Sequence, residues 1–441
     1  MLRLSFLLLL IIIAIPTKVA SAPLRILSIG DSLTEEYAFE LPFSAPESNP
    51  SNANTRNWPE LIRIFRSADV SLGPYESTAF SYGDLRNAGH EWNFGIPGMT
   101  VTNWYNLLAT DDFFDPPDDD LGFAYYDTRR KLIDELAVAQ VVVIFLGAND
   151  LKQDYDDVFN DTEASNFYTR IVNRTNAIHN WVRLRTNVPI VVCTIPDIGV
   201  TPAISTTYSD PVKQAAARAK IATLNQDLMA KMAANPSPPT IARIDRLTDR
   251  LFDESPFHLN GTIFIRDGTP ENPPDRMFCR DDFHVSTIAQ ALIANELIAS
   301  INSATGRTIP VFSKQQILNE VLGLDPDQPF IDWVTTQGVA EAEMDDDPDH
   351  DGYPNLVEYL LGTSPGMASS PLTGNFSPGD SLSWTLDEVA VRYAGLIAEE
   401  SSDLDEWSVI PAERMDEVNG AVSITPGEGD ERFVRLRAVK K

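Results

Sequence analysis

The chain holds only two cysteines in 441 residues, Cys193 and Cys279, which rules out a disulfide-rich scaffold and allows one bridge at most. Cys193 lies in the apolar run Ile190-Val191-Val192-Cys193, where a buried free thiol is as natural as a half-cystine, so both readings stand. Cations are also scarce, with 34 Lys and Arg against 64 Asp and Glu, for a formal net charge of −30. That balance argues against nucleic acid and anionic membranes as partners, because a phosphate backbone needs clustered Lys and Arg. It favours solubility and divalent cations. Five histidines leave few sources for an imidazole base. Beyond the amino terminus no run of about 18 apolar residues occurs, so no transmembrane segment is expected.

The one long apolar run opens the chain. Arg3, the stretch Leu4 to Ile15 and the small residues Ala20-Ser21-Ala22 have the form of a secretory signal peptide over 1–22, too short in its apolar part to span a bilayer. Cleavage near Ala22 predicts a secreted protein, extracellular or periplasmic. The remaining chain, 43% hydrophobic over the full length, suffices for one large core and a smaller one.

Residues 23–308 alternate buried-type strands with helical stretches. Ile26 to Ile29 is a strand that runs into Gly30-Asp31-Ser32, a turn whose following polar residues can open a helix. A helix is expected over Trp58 to Arg66, then a short strand at Glu91 to Gly95, ending in a turn where Gly98 takes a conformation closed to other residues. Helices at Tyr125 to Ala137, Thr162 to Arg185, Lys213 to Met232 and Ser286 to Ile301 separate strands at Val141 to Leu146, Pro189 to Ile195 and Ile241 to Asp245. This order predicts an α/β fold with a doubly wound, parallel five-stranded sheet. The carboxyl ends of its strands share one cleft, and three of those ends carry Ser32, Gly98 and Asn149.

A serine nucleophile needs a base, and the base needs a group to hold its tautomer. His90, His179, His258 and His350 sit in settings that read as structural or solvated. His284 follows Asp281 by three residues, just before a helix. A carboxylate at that spacing can accept from one ring nitrogen while the other faces Ser32. Asp281 and the neighbouring Asp282 also suit helix capping; Asp282 could substitute for Asp281 in orienting the ring, but the spacing favours Asp281.

Gly30-Asp31-Ser32-Leu33, Gly98, Gly147-Ala148-Asn149-Asp150 and Asp281-x-x-His284, in that order, resemble the four blocks of the SGNH (GDSL) hydrolase family over roughly Leu24 to Arg307. The resemblance implies a flavodoxin-like three-layer sandwich and ester hydrolysis through an acyl-enzyme, with no cofactor for catalysis. It implies Ser32 as nucleophile, His284 as base and then acid, and Asp281 as the orienting carboxylate. It implies an oxyanion hole made by the Ser32 N–H, the Gly98 N–H and the Asn149 side-chain amide. Val285 stands where many members have proline. Tyr37, Phe39, Trp58, Trp92 and Trp104 lie near these blocks and could stack on sugar rings, though core positions suit them too. The expected substrate is an acylated glycan, above all an acetylated polysaccharide, with a lipid ester or thioester as the alternative. A non-catalytic carbohydrate-binding or adhesion protein is the competing class.

Residues 309–366 read as a helical and acidic linker. Within 347–358, Asp347, Asp349, Asp351, Asn355 and Glu358 fall at loop positions one, three, five, nine and twelve, with Tyr353 at seven and Gly352 at six. Those are EF-hand positions for a hard cation such as Ca²⁺, and an acidic linker has a similar composition. The stretch resembles Asp-rich, thrombospondin type 3-like Ca²⁺-binding repeats, which implies a structural clip between domains. Residues 367–441 read as a small all-β sandwich, with strands at Ser381 to Trp384, Ala390 to Tyr393, Trp407 to Ile410, Ala421 to Ile424 and Phe433 to Arg437. Contact with polysaccharide, attachment to a cell surface or simple spacing of the enzyme are its expected roles, and the sequence offers no site there.

Overall fold

The computed structural model describes residues 22–37, 55–76, 82–86, 89–109, 122–254, 256–269, 273–339, 343–369, 381–418, 420–427 and 433–441. The signal-peptide stretch before Ala22, Phe39 and the acidic segment Asp111 to Asp120 lie outside them.

Six strand segments build the main sheet: β1 (Leu24–Gly30), β2 (Val70–Ser71), β3 (Asn93–Gly95), β4 (Val141–Phe145), β5 (Ile190–Cys193) and β6 (Thr240–Ala242). All pair in parallel. β1 takes β4 on one side, with Ile26 opposite Val141 and Gly30 opposite Phe145. Its other side is shared: β2 pairs at Leu24 and β3 at Gly30, so two short segments fill one edge position and the sheet is five strands wide. β5 and β6 extend it beyond β4.

Side chains alternate across the sheet, as a strand's period of two dictates. Leu27, Ile29, Val142 and Ile144 enter one core with Trp104, Leu107, Ile171 and Leu224; Ile26, Val141, Val143 and Phe145 enter the other with Trp58, Leu61, Ile288 and Leu297. Helices therefore cover both faces, giving the three-layer α/β arrangement that an all-parallel sheet requires. Ile309, Phe312, Ile317 and Leu318 belong to the second core, so the hydrolase packing continues past Arg307.

Three local expectations need correction. No helix follows Ser32 directly; Thr34 and Glu35 N–H both return to the Asp31 carbonyl at 3.0 Å, making a single turn. The strand expected to run to Asp245 stops at Ala242, and a helix occupies Ile244–Asp253. Ala390–Tyr393 is a helical turn rather than a strand, because Asp387 Oδ1 accepts from the Val389 and Ala390 N–H groups at 2.9 Å and caps it. Cys193 and Cys279 are free and buried, which settles the disulfide question against a bridge.

The carboxyl-terminal residues form two three-stranded sheets, one of Leu382–Thr385, Ala421–Ile424 and Met415–Val418, the other of Ser408–Val409, Ala394–Ser401 and Phe433–Lys440. Trp384, Val422 and Ile424 of the first meet Ala398 and Leu436 of the second in one apolar cluster. Among the described residues no helix is long and apolar enough to cross a membrane.

Candidate active site

Ser32 leaves the end of β1 on the turn held by Asp31, and His284 arrives 252 residues later on the loop before the helix Thr287–Thr305. Ser32 Oγ lies 2.8 Å from His284 Nε2. Behind the ring, His284 Nδ1 lies 2.6 Å from Asp281 Oδ2. The same carboxylate accepts the His284 and Phe283 N–H groups through Oδ1 at 2.9 and 3.1 Å, so the local turn itself fixes the acid under the ring. Burial acts to raise the Asp281 pKa, and the side-chain and backbone bonds from His284 outweigh it, holding the carboxyl below its ordinary range. An ionised Asp281 keeps the proton on Nδ1 and leaves the Nε2 lone pair facing the serine. Asp282 takes another course: at φ +58° its Oδ1 accepts the Gly268 N–H, which leaves Asp281 as the carboxylate on the imidazole.

Gly98 sits in the turn after β3, whose Gly95 is in register with Gly30, so the turn lies at the same rim as Ser32. Its φ of +74° is the left-handed conformation expected there. Asn149 opens the helix Ala148–Gln153 at the end of β4 and is buried. Its Nδ2 donates to Asp31 Oδ2 at 3.3 Å and to the Met99 carbonyl at 3.2 Å. Asp31 thus has a part that the sequence reading did not assign to it. Its other oxygen accepts the Leu33 N–H at 2.9 Å, and burial, with Asp150 adding repulsion, pushes its pKa up to about 7. Asp150 Oδ2 accepts the Val101 N–H at 2.8 Å and so ties the helix Val101–Ala109 to the site.

A pocket of about 730 Å³, open solvent at its mouth included, adjoins Ser32 and Asn149. Its walls are chiefly apolar. Of the aromatics offered as sugar platforms, Tyr37, Trp58 and Trp104 are wholly buried at 0% exposure and serve the cores, and Trp92 packs half-buried against the first core.

In the acidic loop, oxygens of Asp347, Asp349 and Asp351 lie within 4.8 Å of one another. Gly352 has φ +94°, the left-handed geometry of a sharp sixth position. Tyr353 N–H donates to Asp351 Oδ1, and Ser369 reaches Asp351 Oδ2. Asn355 and Glu358 are fully buried, and Asn355 Oδ1, Glu358 Oε2 and Asp349 Oδ2 have no hydrogen-bond partner among the described residues. Burial raises the Glu358 pKa to about 7, and repulsion from the three aspartates adds to it.

A parallel α/β sandwich with a serine, an imidazole and a carboxylate in line at its rim is an arrangement that acyl-transfer chemistry can use. The chain belongs to the GDSL-like lipase/acylhydrolase family, whose model matches residues 26–334. Among solved structures it is similar to an α/β hydrolase from the metagenome of Lake Arreo, Spain, at 13% identity over 65% of this chain and 97% of that one, with a TM-score of 0.34. It is also similar to a catalytic mutant of an acetylxylan esterase from Geobacillus stearothermophilus, at 11% identity over 64% and 96% of the two chains and a TM-score of 0.33. No curated protein matches the sequence.

Proposed function

We propose that this esterase works through a Ser32-His284-Asp281 triad and an acyl-enzyme, and that it removes acyl groups from carbohydrate. The observation that carries the triad is the unbroken line from the Ser32 hydroxyl through the imidazole to Asp281, at 2.8 and 2.6 Å. His284 takes the Ser32 proton as Oγ attacks the ester carbonyl, then returns it to the departing alcohol; water repeats the cycle in reverse on the acyl-enzyme. The Ser32 and Gly98 N–H groups and the Asn149 amide are the donors for the oxyanion. For the alcohol, a net charge of −30 disfavours approach to anionic lipid and favours a neutral glycan. A lipid ester or thioester is the second reading, favoured by the apolar walls of the pocket beside Ser32.

The test compares wild type with Ser32→Ala on a p-nitrophenyl ester and on acylated xylan, triacylglycerol and acyl thioester. Loss of nearly all turnover in the variant is expected, with release from xylan fastest; wild-type-like cleavage by Ser32→Ala would end the triad assignment. Export follows in the same reading from the 1–22 segment, and an intact Met1 to Ala22 on mass spectrometry of the exported protein would remove it. Asp347, Asp349, Asp351, Tyr353, Asn355 and Glu358 fit a Ca²⁺ that clips the loop without entering the chemistry. The orphaned oxygens of Asp349, Asn355 and Glu358 support that fit. The β module is proposed to contact polysaccharide or the cell surface; loss of pull-down on insoluble glycan when residues 367–441 are removed is the outcome expected.

A further inference from the structure

The helix Thr287–Thr305 packs Ile288, Ala291, Ala294 and Leu297 into the second core, and among them a polar side chain, Gln290, is fully buried. A buried amide is costly unless both its ends are bonded. Both are: Gln290 Nε2 donates to Tyr37 Oη at 2.9 Å, and Gln290 Oε1 accepts the Trp58 N–H at 3.2 Å. The Trp58 N–H opens the helix Trp58–Phe65 and is one of the donors that a helix start leaves without a partner inside the helix. One side chain therefore joins three elements: the segment five residues beyond Ser32, the start of a helix, and the helix that begins just after His284.

Tyr37 makes a further link with its ring, which is buried against Cys279 at the base of the loop that carries Asp281 and His284. That loop is closed on itself, with the Cys279 N–H donating to the His284 carbonyl at 2.7 Å and Cys279 Sγ to the Val285 carbonyl at 3.6 Å. Burial holds the pKa of the Tyr37 hydroxyl well above the ordinary tyrosine value, so it meets Gln290 as a neutral phenol. Alongside, Thr287 Oγ1 accepts the Arg56 N–H at 2.9 Å and ties the same two parts of the chain.

We propose that Tyr37 and Gln290 are positioning residues that hold the His284 loop at its working distance from Ser32. The proposal rests on the serine-esterase reading above. Ser32 and His284 come from segments 252 residues apart, and a proton passes between them only at hydrogen-bond length. A leucine at position 290 would fill the space; the amide adds direction, because its two bonds fix both the roll of the helix and the place of Tyr37. Without them the loop is free to drift, and a displacement of about 1 Å at a reacting pair can cost about 10²-fold in rate.

The test measures kcat and KM of the full chain on p-nitrophenyl acetate, well below the Tm of every variant. Tyr37→Phe keeps the ring and its packing on Cys279 while removing the hydroxyl, and Gln290→Leu keeps the volume while removing the amide. Each should lower kcat about five- to twentyfold with KM changed less than about twofold, and the double variant should be no slower than Gln290→Leu alone, because both cut one link. The rate at which a p-nitrophenyl phosphonate labels Ser32 should fall in the same ratio, since the same proton transfer activates the hydroxyl. Leu228→Ala, in the first core on the helix Pro211–Ala233, is the control for stability alone: it should lower the Tm and leave kcat within about twofold of wild type. A kcat within about twofold of wild type in Tyr37→Phe overturns the proposal, as does a rise in KM at unchanged kcat or an equal kcat loss in Leu228→Ala. Tyr37→Phe alone decides the matter should Gln290→Leu fail to fold. Turnover surviving in Ser32→Ala strikes the serine-esterase reading instead, so the two failures are separable.

Discussion

Asp31 holds Asn149: the carboxylate Oδ2 accepts the side-chain amide at 3.3 Å, and the Met99 carbonyl accepts the same nitrogen at 3.2 Å. The amide proposed for the oxyanion is therefore held by two acceptors in the free protein, and a developing negative charge must draw an N–H from one of them.

Removing that donor should cost about 10²- to 10³-fold in kcat with little change in KM, which steady-state kinetics of Asn149→Ala would measure. Asp31→Asn places an amide against an amide and should lower kcat roughly tenfold. If Asp31 acts by holding Asn149, the double variant is no slower than Asn149→Ala alone; losses that multiply would give Asp31 a separate part.

The two neighbouring acids should separate cleanly. Asp281→Asn frees the imidazole to adopt the wrong tautomer, with an expected loss of about 10⁴-fold in kcat. Asp282→Asn keeps an oxygen to accept the Gly268 N–H and should stay within a few-fold of wild type. Equal losses would mean that Asp281 does not orient the ring.

Four buried carboxyls make stability depend on pH. Burial raises Asp31 and Glu36 to about 7, and Asp150 and Asp197 to about 6. Between about pH 4 and these values the folded chain holds protons that the unfolded chain has released, so stability falls as pH rises through them. The Tm should be higher at pH 5 than at pH 8 in the same salt; a Tm that rises over this interval would contradict the assignment.

The acidic loop adds its own pH signature. With Glu358 raised to about 7, the loop without cation should lose stability as pH rises through 7, and Ca²⁺ should restore it most at pH 8. Melting curves with chelator and with Ca²⁺ at both pH values test this, and no shift at pH 8 would count against the site. Glu358→Gln should weaken the response to Ca²⁺.

The strand-and-helix order, the parallel sheet and the positions of Ser32, Gly98, Asn149, Asp281 and His284 were legible because they depend on local pattern: uninterrupted aliphatic runs, a glycine turn, an acid three residues from a histidine. The edge shared by Val70–Ser71 and Asn93–Gly95 was not legible, since two- and three-residue strands carry no periodicity. The helical turn at Ala390–Tyr393 shows the same limit in reverse, where a β-type composition yields to the cap from Asp387. Chain order alone could assign no pocket, because Leu247, Leu292 and Phe283 become neighbours only after three elements converge.

The sequence by itself determined the kind of fold and which side chains are candidates for the chemistry, because burial pattern and residue type are properties of short segments. Tertiary structure decided which acid faces the imidazole, where Asn149 points and whether the thiols meet. Those are distances between atoms far apart in the chain, and only the packing of helices on both faces of the sheet sets them.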